Sequence, residues 1–190
     1  MSAKVASTAL VAMRAAVGAS LADLPSDSTV LVACSGGPDS LALAGVAAWV
    51  AARGGPRVEA IVVNHGLQEG SAEVADRAAQ TCLRLGVHGA RVVRVTVGTD
   101  GGPEAAARTA RYAALEVAAA DVSAQAVLLG HTREDQAETV LLRLARGSGA
   151  RSLSAMRPHN GLWRRPLLAI PREDVHAVAT ELLARFGDLV

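Results

Sequence analysis

With 190 residues and a formal net charge of +1, the chain is long enough for one domain with a real core, and any nucleic-acid contact has to come from local clusters rather than bulk basicity. Apolar residues make up 51% and aromatic residues only 2%, so that core is built from Ala, Val and Leu. Mean hydropathy is +0.28, yet no uncharged apolar run approaches the roughly 18 residues of a membrane-spanning helix, and Cys34 and Cys82 lack the spacing of a zinc site or a disulfide framework.

The first segment has Leu10, Met13, Val17 and Leu21 at helical spacing, which predicts an amphipathic helix over about Ala3 to Ser20. Lys4 followed by Val5 to Met13 resembles a weak signal peptide, but Arg14 interrupts the apolar run, so the expected location is cytoplasmic. Thr29 to Cys34 reads as a buried strand and Pro38 to Ala52 as a helix, ended by Gly54-Gly55-Pro56. A second strand is expected over Val58 to Val63, a helix over Ser71 to Leu85 stopped by Gly86, and a third strand over Arg91 to Val97. Thr99 to Gly102 form a loop, Pro103 opens a helix over Glu104 to Ala120, and Ala126 to Leu129 make a fourth strand before a helix over Glu134 to Ala145. Gly147-Ser148-Gly149 is a turn, Leu153 to Met156 and Leu162 to Arg164 suit a short strand pair, and Pro171 opens a last helix to Phe186. Alternating strands and helices imply a Rossmann-like, doubly wound parallel sheet of about five strands with helices on both faces, and ligands beyond the carboxyl ends of the strands.

The chemistry centres on Ser35-Gly36-Gly37-Pro38-Asp39-Ser40, directly after the first strand. The two glycines let the backbone turn sharply and bring its N–H groups close to a ligand. The helix that follows adds unpaired amides and the positive end of its dipole, which together make an anion site suited to phosphate. Asp39 beside such an anion calls for a cation between them, and Mg²⁺ on a polyphosphate fits. A plain turn with Ser35 or Asp39 as helix cap is the alternative.

Three other segments converge on the same edge. Asn64 and His65 stand at the tip of the second strand, as a polar cap or as ligand groups, with Gly66 turning the chain. In the helix after Pro103, Glu104 and Arg108 are spaced for an ion pair, and Arg108 and Arg111 suit either a solvated surface or phosphate. Asp135 and Glu138, three apart, face one way after the fourth strand, where carboxylates favour the helix dipole or hold an ammonium group or Mg²⁺; His131 precedes them. Arg143, Arg146 and Arg151 surround the Gly-Ser-Gly turn as a local cationic patch.

Together SGGPDS at 35–40, VNHGLQ at 63–68, EAAARTARY at 104–112 and GHTREDQAETVLLRLARGSGARSLSAM at 130–156 resemble the tRNA(Ile)-lysidine synthetase family of PP-loop ATP pyrophosphatases. Asn64 stands where that family commonly has Asp, and Glu134 where it has a second Asp. The resemblance implies an adenine nucleotide alpha hydrolase-like fold and a two-step reaction. ATP adenylates the wobble cytidine of a tRNA(Ile) with a CAU anticodon, and the ε-amine of L-lysine then displaces AMP from C2. It also implies that Ser35, Gly36, Gly37, Pro38, Asp39 and Ser40 cradle pyrophosphate, that Asp39 binds Mg²⁺, and that Asn64 and His65 lie near adenine. Asp39, Asp135, Glu138, His131 and Arg111 then form the catalytic set. Residues 1–190 make one PP-loop catalytic domain on this reading, without the C-terminal tRNA-gripping domains usual in the family. A tRNA sulfur-transferase would want a Cys-x-x-Cys pair or a late nucleophilic Cys, which the sequence lacks. An amide-forming synthetase or a non-catalytic nucleotide-binding module would also accommodate the 35–40 loop.

Overall fold

The computed structural model describes residues 2–66, 70–98, 102–145 and 155–185, with the side chains of 2–7 and Pro103 outside that description. Strands β1 (Thr29–Cys34), β2 (Arg57–Asn64), β3 (Gly89–Arg94) and β4 (Ala126–Leu128) alternate with helices α2 (Pro38–Ala51), α3 (Ser71–Arg84) and α4 (Pro103–Asp121). Helix α1 (Ser2–Leu21) precedes them; α5 (Arg133–Ala145), β5 (His159–Asn160), β6 (Trp163–Arg164) and α6 (Arg172–Ala184) follow. Among the described residues the sheet has six strands in the order β3-β2-β1-β4-β6-β5, parallel except for the β5–β6 edge.

The period-2 alternation of each central strand divides the core between two faces. Val30, Val32, Val58, Ala60 and Val62 point toward α1, α2, α3 and α6. Leu31, Ile61 and Val127 point to the other side, against Leu115, Ala118 and Ala119 of α4. The predicted stripe Leu10, Met13, Val17 and Leu21 is buried in the larger core. β1 lies between β2 and β4, so the helices following β1 and β4 start from a crevice where the strand order reverses. That switch point is where such sheets bind ligands.

Two expectations shift. The third strand is Gly89–Arg94 rather than 91–97, because Gly89 and Ala90 pair with Glu59 and Ala60 and the register ends at Asn64 opposite Arg94. The late strand pair is His159–Asn160 with Trp163–Arg164, turning at Gly161 with φ +59°. Leu153 lies outside the described residues, and Met156 is held by Gln136 instead: Met156 N donates to Gln136 Oε1 (2.7 Å) and Gln136 Nε2 to Met156 O (3.0 Å). The Gly147–Gly149 turn with Arg146 and Arg151, Leu67 and Gln68, the 99–101 part of the loop, and Phe186 also lie outside the described residues.

Candidate active site

The loop between β1 and α2 is built around one hydroxyl. Ser40 Oγ donates to Gly37 O (2.9 Å), accepts from Ser35 N (3.1 Å), and lies 3.3 Å from Ser35 Oγ. Gly36 has φ +83°, a left-handed conformation that any side chain would strain, and a Cβ there would also come within 3.1 Å of Ala78 Cβ. Gly37 is the N-cap, with no side chain capping the helix, and Pro38 takes the first turn. The capping alternative for Ser35 and Asp39 is therefore not what forms, and the first amides of α2 stay open to an anion.

Gly130, at the tip of β4, passes close behind this loop. A Cβ at Gly130 would sit 3.3 Å from the Asp39 carbonyl group and 3.4 Å from Ser40 Cα. A side chain at Gly130 would press on the loop backbone and force it to shift by a few tenths of an ångström; Gly130 opens the 130–156 stretch, but nothing in that stretch signals the approach.

A cavity of about 320 Å³ opens at this edge, walled by Ser35, Asp39, Ser40, His65, Arg111, His131 and Asp135 over a floor that includes Ala33, Ile61, Leu115 and Leu129. Four buried polar atoms on its wall have no hydrogen-bond partner: Asp39 Oδ1, His65 Nδ1, Arg111 Nε and His131 Nδ1. Leaving such atoms unpaired costs about 1–3 kcal/mol each, and four of the ten found among the described residues belong to residues of this cavity. A second cavity of about 240 Å³ shares His65 and Arg111 and adds Glu104 and Arg108.

The predicted residues divide accordingly. Asp39, His65, Arg111, His131 and Asp135 meet in the cavity. Asn64 is buried, and its Oδ1 accepts from Gly66 N (2.8 Å), so it shapes the turn. Glu138 is exposed and is not on the cavity wall. Arg108 reaches Tyr112 Oη (3.4 Å) rather than Glu104. Cys34 and Cys82 are buried as expected but meet, Sγ to Sγ at 3.4 Å, with Cys34 Sγ also 3.5 Å from Ser40 Oγ. The bond from Cys82 makes Cys34 the more acidic of the two.

Two residues outside every motif join the site from α6. Arg172 Nη2 donates to Asp135 Oδ1 (2.7 Å), and its Nε lies 3.9 Å from Asp39 Oδ2. His176, one turn on, brings Nε2 to 3.1 Å from Asp39 Oδ1, although the approach is not aligned as a hydrogen bond. Burial pushes the Asp39 carboxyl up, an effect that Asp135 reinforces and His176 and Arg172 only partly offset. Burial also works against ionised Asp135, but the Thr132 amide (2.6 Å) and hydroxyl (2.9 Å), with Arg172, outweigh it and hold that carboxyl below its usual range. Burial, with Arg165 nearby, lowers His131 to about 4, and burial followed by Arg111 lowers His65.

The Asp39 carboxylate has the oxygen chemistry of a hard-cation ligand, and a cation bound there would take the place of the His176 imidazole beside Oδ1.

The PP-loop domain family matches residues 10–187. The tRNA(Ile)-lysidine synthase of Thermobifida fusca is 62% identical over 168 residues, covering 88% of this chain and 52% of that protein. The protein of the same name from Salinispora tropica is 51% identical over 178 residues, covering 91% of this chain and 54% of its own. This chain spans about half the length of these curated relatives. Among solved structures, the U34-tRNA thiolase NcsA from Methanococcus maripaludis with its [4Fe-4S] cluster superposes with a TM-score of 0.76 at 22% identity, over 94% of this chain and 65% of that one, a likeness of fold.

Proposed function

The chain belongs to the PP-loop domain family, and from that premise we propose that it is the ATP-cleaving part of a tRNA(Ile)-lysidine synthase. The observation that carries this reading is the cavity at the β1–β4 switch point, where the 35–40 loop, Asp39 included, meets His65, Arg111, His131 and Asp135.

Residues 35–40 cradle the β- and γ-phosphates at the start of α2, where main-chain amides and the helix dipole stabilise charge developing on leaving pyrophosphate. Asp39 holds Mg²⁺, which supplies charge neutralisation on the phosphates. Adenine lies near the 63–65 strand tip. Arg111 Nε and the neutral imidazole of His131 offer hydrogen bonds to the nucleotide; a His with so low a pKa is not an imidazolium acid at neutral pH.

The wobble cytidine O2 attacks the α-phosphorus, the bond to pyrophosphate breaks, and an adenylated base results. The ε-amine of lysine then attacks C2, the C2–O bond breaks with departure of AMP, and the amine proton passes to solvent or a carboxylate. Asp135 on the cavity wall and exposed Glu138, almost one turn further along α5, are the carboxylates assigned to that amine. The reaction takes place in the cytoplasm, with tRNA(Ile) bearing CAU and L-lysine as substrates. No helix among the described residues is long and apolar enough to cross a membrane.

ATP–pyrophosphate exchange with unmodified CAU-bearing isoleucine tRNA, followed by lysine addition, tests the reading. Exchange should require that tRNA, and lysine should convert it into product. Asp39→Ala should abolish exchange by removing the cation's carboxylate, a loss of at least about 100-fold; full turnover in that variant would contradict the assignment. Nucleotide binding without any exchange would leave a binding module.

A further inference from the structure

The first turn of α6 is fastened to the start of α5 at three points. Arg133 N donates to Ile170 O (3.1 Å), Arg172 N donates to Glu134 Oε2 (2.8 Å), and the Arg172 guanidinium reaches Asp135 Oδ1 (2.7 Å). Asp135 is thereby held by both oxygens, since Oδ2 takes the Thr132 amide and hydroxyl. Its carboxylate plane is fixed by partners on two sides, one local in sequence and one from an element 37 residues away. The same guanidinium leans toward Asp39, and His176 covers Asp39 from the next turn. One face of α6 therefore places two basic side chains against two carboxylates that come from the first turns of different helices, α2 and α5, and repel each other.

We propose that Arg172 is a positioning residue that holds Asp135 in the orientation needed for the lysine-transfer step and balances its charge against Asp39. The proposal rests on the lysidine synthase reading for the identity of that step, whereas the hold on Asp135 does not depend on it. A guanidinium suits the task because it spreads its donors over a rigid plane and stays charged. Without it, Asp135 Oδ1 loses its hydrogen bond, and the carboxylate turns about its remaining contacts with Thr132. Misplacing a reacting or binding group by about an ångström costs up to about 100-fold in rate.

Arg172→Gln and Arg172→Lys, made in the whole chain, test this with two readouts. In kinetics, Arg172→Gln should lower kcat for lysine transfer by about tenfold or more, and by clearly more than it lowers pyrophosphate exchange, because Asp135 loses a 2.7 Å bond where Asp39 loses only a 3.9 Å approach. Arg172→Lys, which still donates to Oδ1, should recover part of that loss. In ¹⁵N–¹H spectra, the Thr132 amide proton, which reports on the Asp135 Oδ2 bond directly, should move upfield in Arg172→Gln and stay near its wild-type position in Arg172→Lys. An unmoved Thr132 resonance in Arg172→Gln overturns the proposal, as does an equal loss of both steps. If the wild-type chain transfers no lysine, the functional reading falls by itself, and the hold of Arg172 on Asp135 is then judged by the Thr132 resonance alone.

Discussion

His131 stands on the wall of the cavity assigned here to the nucleotide, where a charged imidazole would be attracted to phosphate, and yet burial, with Arg165, Arg111 and Arg108 outweighing Asp135, keeps it neutral. Its folded-state pKa of about 4 lies below the ordinary 6.5, so between those two values the unfolded chain binds a proton that the folded chain refuses. The stability this contributes is complete above pH 6.5 and drains as pH falls toward 4, by at most about 3 kcal/mol. Denaturant titrations at the two ends of that window should show the loss, and His131→Asn should flatten it; an imidazole seen by NMR to titrate near 6.5 would contradict the burial argument. His131 and Asp39 were legible in the sequence because each sits within a few residues of a strand end and its chemistry is local. Arg172, His176 and Gly130 were not. The first two act across some 40 to 140 residues of chain, and the need for Gly130 is a backbone approach that appears only once β4 lies beside the loop. The pair Asp135 and Glu138 shows the limit of spacing arguments: three residues apart, one enters the cavity and the other is exposed.

None of the described side chains of α1 lines the cavity, yet the helix packs against α2 and α6, the helices that carry Asp39, Arg172 and His176. Met13 is fully buried in that contact. Met13→Ala should cost about 2–5 kcal/mol in chemical denaturation, since the surrounding helices cannot collapse fully onto the space left. A loss below about 1 kcal/mol would mean that α1 is only loosely attached, and the helical reading of its stripe would lose its energetic meaning. Elements with a clear local signal were the ones the sequence placed well: the α1 stripe at helical spacing, β1 as an uninterrupted apolar run, and α2 between Pro38 and the glycines beyond its end. The two-residue strands β5 and β6 carry no period at all; the turn at Gly161, the pairing of Trp163 and Arg164 with Val127 and Leu128, and the Arg164–Asp23 ion pair fix them. At the sheet edge, β3 starts two residues before the predicted strand, at Gly89, which pairs with Glu59.

Across the whole molecule, 19 basic and 18 acidic residues nearly cancel, so no long-range field draws a polyanion to the site. What attraction exists must come from discrete groups, and the described surface beside the cavity offers Arg108 and Arg111 on consecutive turns of α4, sharing a second cavity with His65. Arg108 is exposed and stacks by its guanidinium on Tyr112, 5.1 Å from the ring centre, which restrains it without neutralising it. Tyr112 in turn packs edge-on against Trp163 of β6, so the exposed arginine is anchored through two rings to the sheet rather than left on a free surface. For tRNA held by counted contacts, the dependence of affinity on salt counts them: each phosphate neutralised contributes about one unit to the slope of log K against log salt. Arg108→Ala should therefore weaken tRNA binding and flatten that slope by about one unit, with Mg²⁺–ATP affinity unchanged, in filter binding across a salt series. An unchanged slope would place the tRNA path away from α4, and a parallel loss of nucleotide affinity would assign Arg108 to the triphosphate instead.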